Sequence, residues 1–312
     1  MTSKKIQGSE LIISDDGTLY HLSLKSDDNI PKNIFLVGDP ARVFLIAKYF
    51  DRGIIFKKEN REFITVCGTY KKIPIAAIST GIGPDNAEIV AVELHALNEY
   101  DYRQKTWKEK YEPLNIIRIG TSGSPQKNIA AGSLAISEYA IGLDNTGIYY
   151  PYKSTDATVK KLLKALNKTE LSKVHPYASK ANITIVNALK RACQNKKYYT
   201  GITSSAPGFF APQGRQIGRL ANILIPNLQK ILSEINVDGK KVINNEMESS
   251  VIFRLLGEIL GYRVGAICAV LANRNKGEFV EPEEYANSVD RAIRAGLEAM
   301  KILASPSCGA GF

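Results

Sequence analysis

No stretch of this chain approaches the roughly 18 consecutive apolar residues that a membrane-spanning helix needs. The opening residues, MTSKKIQGSELIISDDG, hold lysines but no apolar core of the secretory kind, so a cytoplasmic location is expected. The four cysteines, Cys67, Cys193, Cys268 and Cys308, stand far apart and form no CxxC pair. That spacing argues against zinc and disulfides and for free thiols in a reducing compartment. Cys268 falls in the apolar run VGAICAVLA, a packing position. Also missing are a linker, a low-complexity segment and an internal repeat, so the 312 residues read as one α/β unit.

What is present is an ordinary globular composition, 44% hydrophobic and 23% charged, with a formal net charge of +10. The basic residues come as scattered pairs, such as Lys57-Lys58, Lys160-Lys161 and Lys240-Lys241. A nucleic-acid stripe is denser and interleaved with aromatics, so no nucleic-acid partner is expected. The excess instead makes a field that attracts anionic substrates.

NIFLVG reads as a buried strand ending in a GDP turn, and ARVFLIAKYF as a helix with Val43, Leu45 and Ile46 at helical spacing. REFITVCGTY and IPIAAIST are β-rich runs around the polar pair KK, a hairpin. Pro84 opens a helix reaching about Tyr100. NIIRIG is a strand expected to end in a TSGSP turn, and SLAISEYAIG is another strand. Weaker helical segments surround Leu163 and Ala188. YYTGITSS and KVIN are strands, VIFRLLGEIL is a helical face, RVGAICAVLANR is the last strand and AIRAGLEAMKIL a closing helix. This alternation predicts an α/β fold whose largely parallel or mixed sheet is covered on both faces. The notable polar residues gather at strand ends, where such sheets build sites.

In VGDPAR, Gly38 stands at a tight turn with Arg42 one helical turn further; RIGTSG sets Arg118 beside Thr121, Ser122 and Gly123. Glycines and small hydroxyls let backbone N–H groups converge on an anion, and guanidinium forks match phosphate oxygens. STGIGPD lacks the third glycine and downstream acid of a dinucleotide fingerprint, which argues against a nicotinamide site. Gln213 and Arg215, after Phe209 in FFAP, suit the polar edges of a planar heterocycle, or simply a solvated loop. In NNEMESS, Glu246 and Glu248 flank Met247 ahead of an apolar helical run. They read either as first-turn acids that cap a helix or as two acids addressing one ligand. The second reading requires an extended chain at Glu246 that becomes helical only afterwards.

Taken in order, VGDPARV, NREF, STGIG, IRIGTSG, FFAPQGR and NNEMESS resemble the uridine-specific branch of the nucleoside phosphorylase family, from about His21 to Arg274. The resemblance implies a single-domain three-layer αβα sandwich around a mixed, partly barrel-like sheet. It also implies an N-terminal extension (1–30) serving a neighbouring subunit's site, a phosphorylase domain (31–304) and a flexible tail (305–312). The implied reaction is reversible phosphorolysis of uridine to uracil and ribose 1-phosphate. The implied phosphate ligands are Gly38, Arg42, Arg61, Arg118 and Thr121, and the ribose ligands His21, Glu246, Met247 and Glu248. Uracil would meet Ser122, Gly123, Phe209, Gln213, Arg215 and Arg274, with Arg118, Arg215 and Glu248 the catalytic groups. His21 and Arg61 reach across a subunit boundary in the family, which implies at least a dimer. No cofactor is implied beyond the co-substrate phosphate, except a monovalent cation near Glu62, Ile82 and Asn86.

Two departures stand out. Pro212 replaces a glycine before Gln213, and Asn86 stands where a serine is usual. Purine-handling relatives carry an aspartate after the last strand, where this chain reads AVLANR, so a pyrimidine fits better. The alternatives are a purine phosphorylase, a water-using nucleosidase of the same family, an inert nucleoside-binding protein and a basic nucleic-acid binder.

Overall fold

The computed structural model describes residues 6–305, so the expected tail, with Cys308, lies outside the described residues except for Ser305. Strand β1 (Asn33–Val37) leads into helix α1 (Pro40–Ala47), with Pro40 in the first turn and Asp39 as its N-cap. Strands β2 (Phe56–Asn60), β3 (Phe63–Tyr70) and β4 (Ile73–Ser79) pair antiparallel in succession. The expected hairpin is β3–β4. Helix α2 (Pro84–Glu99) runs into a short ribbon, β5 (Tyr100–Asp101) with β6 (Thr106–Trp107).

The middle of the chain is β7 (Asn115–Ser124), β8 (Leu134–Gly142), α3 (Ala157–Leu166), β9 (Tyr177–Lys180), α4 (Ile183–Ala192) and β10 (Tyr198–Ser205). Then come α5 (Leu228–Glu234), β11 (Asn236–Val237), β12 (Lys240–Glu246) and α6 (Ser249–Ile252). The helical path continues as wider π-type turns over Phe253–Ile259, a departure from the regular helix that VIFRLLGEIL suggests. Strands β13 (Arg263–Asn273) and β14 (Glu278–Phe279) precede α7 (Pro282–Ala304).

The strand order is β11-β12-β10-β8-β13-β7-β1-β4-β3-β2, with β9 on β8 and β14 on β13. Parallel pairs such as β1–β7 and β7–β13 sit beside antiparallel ones such as β8–β13, so the sheet is mixed. Strand β12 also meets β7, Asn245 opposite Gly123, and this closes a ring of β12, β10, β8, β13 and β7. Register shifts near Ile202 in β10 and at Val270/Ala272 in β13 supply the bending that closure needs.

Ring closure also explains why the TSGSP turn is absent. Thr121 to Ser124 continue β7 as strand, because β13 lies alongside them and β12 pairs with Gly123. Local sequence carries no trace of those distant partners.

The strands that cross the middle are apolar on both faces, as covered strands must be. Ile116, Ile117 and Ile119 of β7, and Val264 to Val270 of β13, are buried almost throughout. Helices α4 and α7 pack on β13, and α1 on β3 and β4. A second cluster with Ile141, Leu162, Leu166, Leu171, Ile202 and Val242 carries α3 and α5. The result is an α/β sandwich with a barrel-like centre. No helix among the described residues is long and apolar enough to cross a membrane.

Candidate active site

The carboxyl ends of β1, β7, β10, β12 and β13 converge on one cavity of about 840 Å³. Its walls include Gly38, Arg42, Arg118, Thr121, Ser122 and Gly123 from the first half of the chain. Phe209, Gln213, Arg215, Glu246, Met247, Glu248 and Arg274 come from the second.

The chain is extended through Glu246 and helical from Ser249, the geometry required if both glutamates face one partner. Glu246 also performs the capping role. Its carboxylate accepts the backbone N–H groups of Glu248 and Ser249, each at 3.0 Å, and the Ser205 hydroxyl. Glu248 instead turns inward and accepts the Gly83 N–H at 2.8 Å. Both carboxylates reach Arg118, Glu246 at 3.0 Å and Glu248 in closer contact. Burial pushes the Glu248 carboxyl upward while Arg118 opposes it. Burial also works against the Arg118 cation, but the two glutamates outweigh it and hold its pKa above the ordinary guanidinium value.

Arg118 can lie along its strand because residue 120 is glycine. A methyl group there would come within 1.8 Å of Arg118 Nη1. Gly38 permits a similar closeness, with a Cβ position 3.3 Å from the Gly81 carbonyl. Asp39 caps α1 through Ala41 N–H at 2.9 Å, and Arg42 on that helix donates Nη1–H to the Ile119 carbonyl at 3.2 Å. Arg42 is buried without an acidic ion-pair partner among the described residues. Burial and the nearby Arg118 push its pKa down. A cation so placed favours an incoming anion.

At the other end, Ala211–Gln213 form a single 3₁₀ turn closed by Gly214 at φ 74°. Pro212 is accommodated at the start of this turn, where no N–H is required, and packs on Gly208. Arg215 lies over the Phe209 ring at 3.9 Å, donates to the Phe209 carbonyl, and donates to Gln213 Oε1 at 2.9 Å. Arg274 Nη1 donates to the Gln213 carbonyl at 3.3 Å. Burial, reinforced by Arg274, pulls the Arg215 pKa down to about 10. Burial lowers that of Arg274 as well. The cavity wall therefore holds positive charge without an acidic partner among the described residues at Arg42, Arg215 and Arg274, while Glu246 and Glu248 are paired with Arg118.

Four expected residues lie elsewhere. His21 Nδ1 pairs with Glu93 Oε1 at 2.8 Å, and the His21 backbone N–H donates to the same oxygen. Arg61, at φ 53°, donates to the Tyr20 hydroxyl at 3.0 Å, while Asn60 Nδ2 donates to the His21 carbonyl. His21 and Arg61 thus share one surface outside the single-chain cavity. Glu62 and Asn86 flank Gly81, and the Asn86 amide donates to the Ile82 carbonyl at 3.3 Å. Ile82 itself lines the cavity.

Several wall residues are not among the expected ligands: Asp39, Asn245, Leu271, Phe279 and Tyr285. Phe279 on β14 and Tyr285 in the first turn of α7 carry no local signal, since only tertiary packing brings them to this wall. Asn245 had one, being part of NNEMESS. Asn273 ends β13 fully buried, its Nδ2 donating to the Ile129 carbonyl at 2.8 Å and its Oδ1 accepting the Asn275 N–H at 3.1 Å.

Comparison with known proteins adds to this geometry. A family model described as the phosphorylase superfamily matches residues 32–305. A uridine phosphorylase of Thermococcus kodakarensis is 30% identical over 96% of this chain and 92% of its own. One from Treponema pallidum is 27% identical over 91% and 93%. Among solved structures, a Trypanosoma brucei nucleoside phosphorylase, described as showing uridine phosphorylase activity, superposes with a TM-score of 0.88 at 34% identity. It covers 94% of this chain and 99% of its own.

Proposed function

This chain belongs to the phosphorylase superfamily, and from that premise we propose that it catalyses reversible phosphorolysis of uridine to uracil and ribose 1-phosphate. The observation that carries the reading is one cavity lined together by Arg42, Arg118, Gln213, Arg215 and Glu248. The uridine phosphorylase relatives support the choice of base.

Gly38, Arg42, Arg118 and Thr121 hold phosphate, with Arg61 supplied by a neighbouring copy. Arg118 already bridges Glu246 and Glu248, so it links the phosphate to the carboxylates that hold the ribose. Glu248 takes the 2′- and 3′-hydroxyls, with Met247 beneath the ring and His21 of a neighbouring copy on the 5′-hydroxyl. Phe209, Gln213 and Arg215 hold uracil, while Ser122, Gly123 and Arg274 complete its surroundings. A phosphate oxygen then attacks C1′ as the C1′–N1 bond breaks, and the bonding pair leaves on uracil. The sugar passes through an oxocarbenium-like state stabilised by the buried Glu248 carboxylate. Arg215 and the Gln213 amide stabilise the uracil anion, so no protonating acid is needed. Fixing phosphate under C1′ turns a bimolecular encounter into a positioned attack.

Glu62 and Asn86 lie against Gly81, next in the chain to Ile82, and their carboxylate, amide and carbonyl oxygens are the kind a hard monovalent cation takes; it would supply only fixed charge at a subunit boundary. The working protein is at least a dimer. It acts in the cytoplasm, in keeping with the free buried thiols of Cys67, Cys193 and Cys268. The test is uracil release from uridine with and without phosphate. Strict phosphate dependence is expected; release without phosphate, or activity confined to purine nucleosides, overturns the proposal.

A further inference from the structure

Glu93 on α2 is buried and takes no part in the proposed reaction, yet both of its oxygens are engaged by one short N-terminal segment. Oε1 accepts the His21 backbone N–H at 2.9 Å and stands 2.8 Å from His21 Nδ1, while Oε2 accepts the Leu22 N–H at 2.7 Å. The His21 carbonyl is held as well, by Asn60 Nδ2 at 2.8 Å. The rings of Tyr20 and Phe63 meet the imidazole edge-on, with centroids at 4.8 and 6.1 Å.

Anchoring this segment would need only the backbone contacts. The contact to Nδ1 sets the ring in addition. An ionised carboxylate can only accept, so Nδ1 must carry the imidazole proton and Nε2 the lone pair. Nε2 has no hydrogen-bond partner among the described residues, and the side chain remains 27% exposed. Helix α2 begins just after Gly83, whose N–H donates to Glu248 in the cavity of its own chain. One rigid element, about 15 Å long from Gly83 to Glu93, thus holds a carboxylate of one site and a histidine facing away from it.

We infer that Glu93 is a positioning residue for the reaction in a neighbouring copy: it fixes His21 in the Nδ1–H form, with Nε2 turned out to accept the ribose 5′-hydroxyl. The inference deepens the uridine reading and rests on it. Without Glu93 the ring is free to turn or to carry its proton on Nε2, and the 5′-hydroxyl then loses its acceptor.

The experiment compares kcat/KM for uridine and 5′-deoxyuridine at saturating phosphate. Wild-type protein is expected to prefer uridine by about tenfold, the size of one well-placed hydrogen bond. Glu93→Gln keeps the shape of the side chain but cannot accept at both ends. It should cut the preference to about twofold, mainly through uridine, since 5′-deoxyuridine has no such contact to lose. Joined to His21→Ala, it should change the preference no further. A purely structural role would slow both substrates alike; that outcome, or a retained preference, overturns the inference. A second measurement needs no variant at Glu93, should that one fail to fold. With isotope-labelled histidine at about pH 8, long-range proton–nitrogen spectra should show His21 protonated at Nδ1. The His21→Ala spectrum picks out its signals among the 3 histidines. Protonation at Nε2 overturns the inference. Wild-type protein that cleaves no uridine overturns the function itself, whereas equal cleavage of both nucleosides leaves the function standing and removes this role.

Discussion

Arg42, Arg118 and Arg215 line one cavity, yet their electrostatic circumstances differ. Arg118 is neutralised in place by Glu246 and Glu248, whereas Arg42 and Arg215 are held by carbonyl and amide oxygens and by an aromatic ring. The last two are thus the groups most relieved by an incoming anion, which in the proposed reaction is phosphate for Arg42 and the departing base for Arg215. Arg215→Ala should lower turnover by two or more orders of magnitude, because losing one donor aimed at developing charge raises the barrier by about 3–4 kcal/mol. Single-turnover kinetics with an unchanged circular dichroism spectrum checks this, and near-normal turnover would remove Arg215 from the mechanism. The NNEMESS glutamates divide the two readings their sequence permits: Glu246 caps the helix and faces Arg118, and Glu248 faces the cavity. Both readings were legible because short-range geometry governs them.

At the scale of elements, the β3–β4 hairpin is tied to α7 by a partly exposed cluster. Glu298 Oε1 accepts from Lys71 Nζ at 2.6 Å and from the Tyr70 hydroxyl, and Lys301 reaches the other oxygen at 3.2 Å. Burial alone would raise the Glu298 carboxyl, but Lys71, Tyr70 and Lys301 outweigh it and pull the pKa down to about 2. A folded-state pKa below the ordinary 4.5 means stability that is fully present above 4.5 and lost as pH falls toward 2. Glu298→Gln should therefore lower the melting temperature at neutral pH, and the gap from wild type should narrow as pH drops through the acid range. A gap independent of pH would show that the carboxylate's charge contributes nothing. The runs that form this hairpin and α7 are visible in the sequence as alternation and helical spacing. The far end of β7 is not, since Thr121 to Ser124 look like a turn until β12 and β13 pair with them.

For the whole molecule, His21 and Arg61 form one surface with Tyr20 and Asn60, away from the cavity of their own chain. Two apolar residues are also bare in the single chain, Ile55 at 66% exposure and Ile82 of the cavity wall at 70%. A second copy packed there would complete both sites at once. In a two-fold dimer, Arg61→Ala and Glu248→Gln subunits should each be nearly inactive alone. After co-refolding in equal amounts they should recover about a quarter of wild-type activity, because half the dimers carry one intact site out of two. Recovery absent from mixed dimers would place Arg61 outside the neighbour's site.

Residue order and local chemistry alone determined the α/β class, most strand and helix positions and the strand-end segments whose polar residues line the cavity, because periodicity and short turns are encoded in adjacent residues. Tertiary structure decided the ring closure, the folding of Arg118 over Gly120 onto two glutamates, and the arrival of Phe279 and Tyr285 at the cavity. Those features depend on pairings between segments far apart in the chain, whose register is set only when the whole sheet closes.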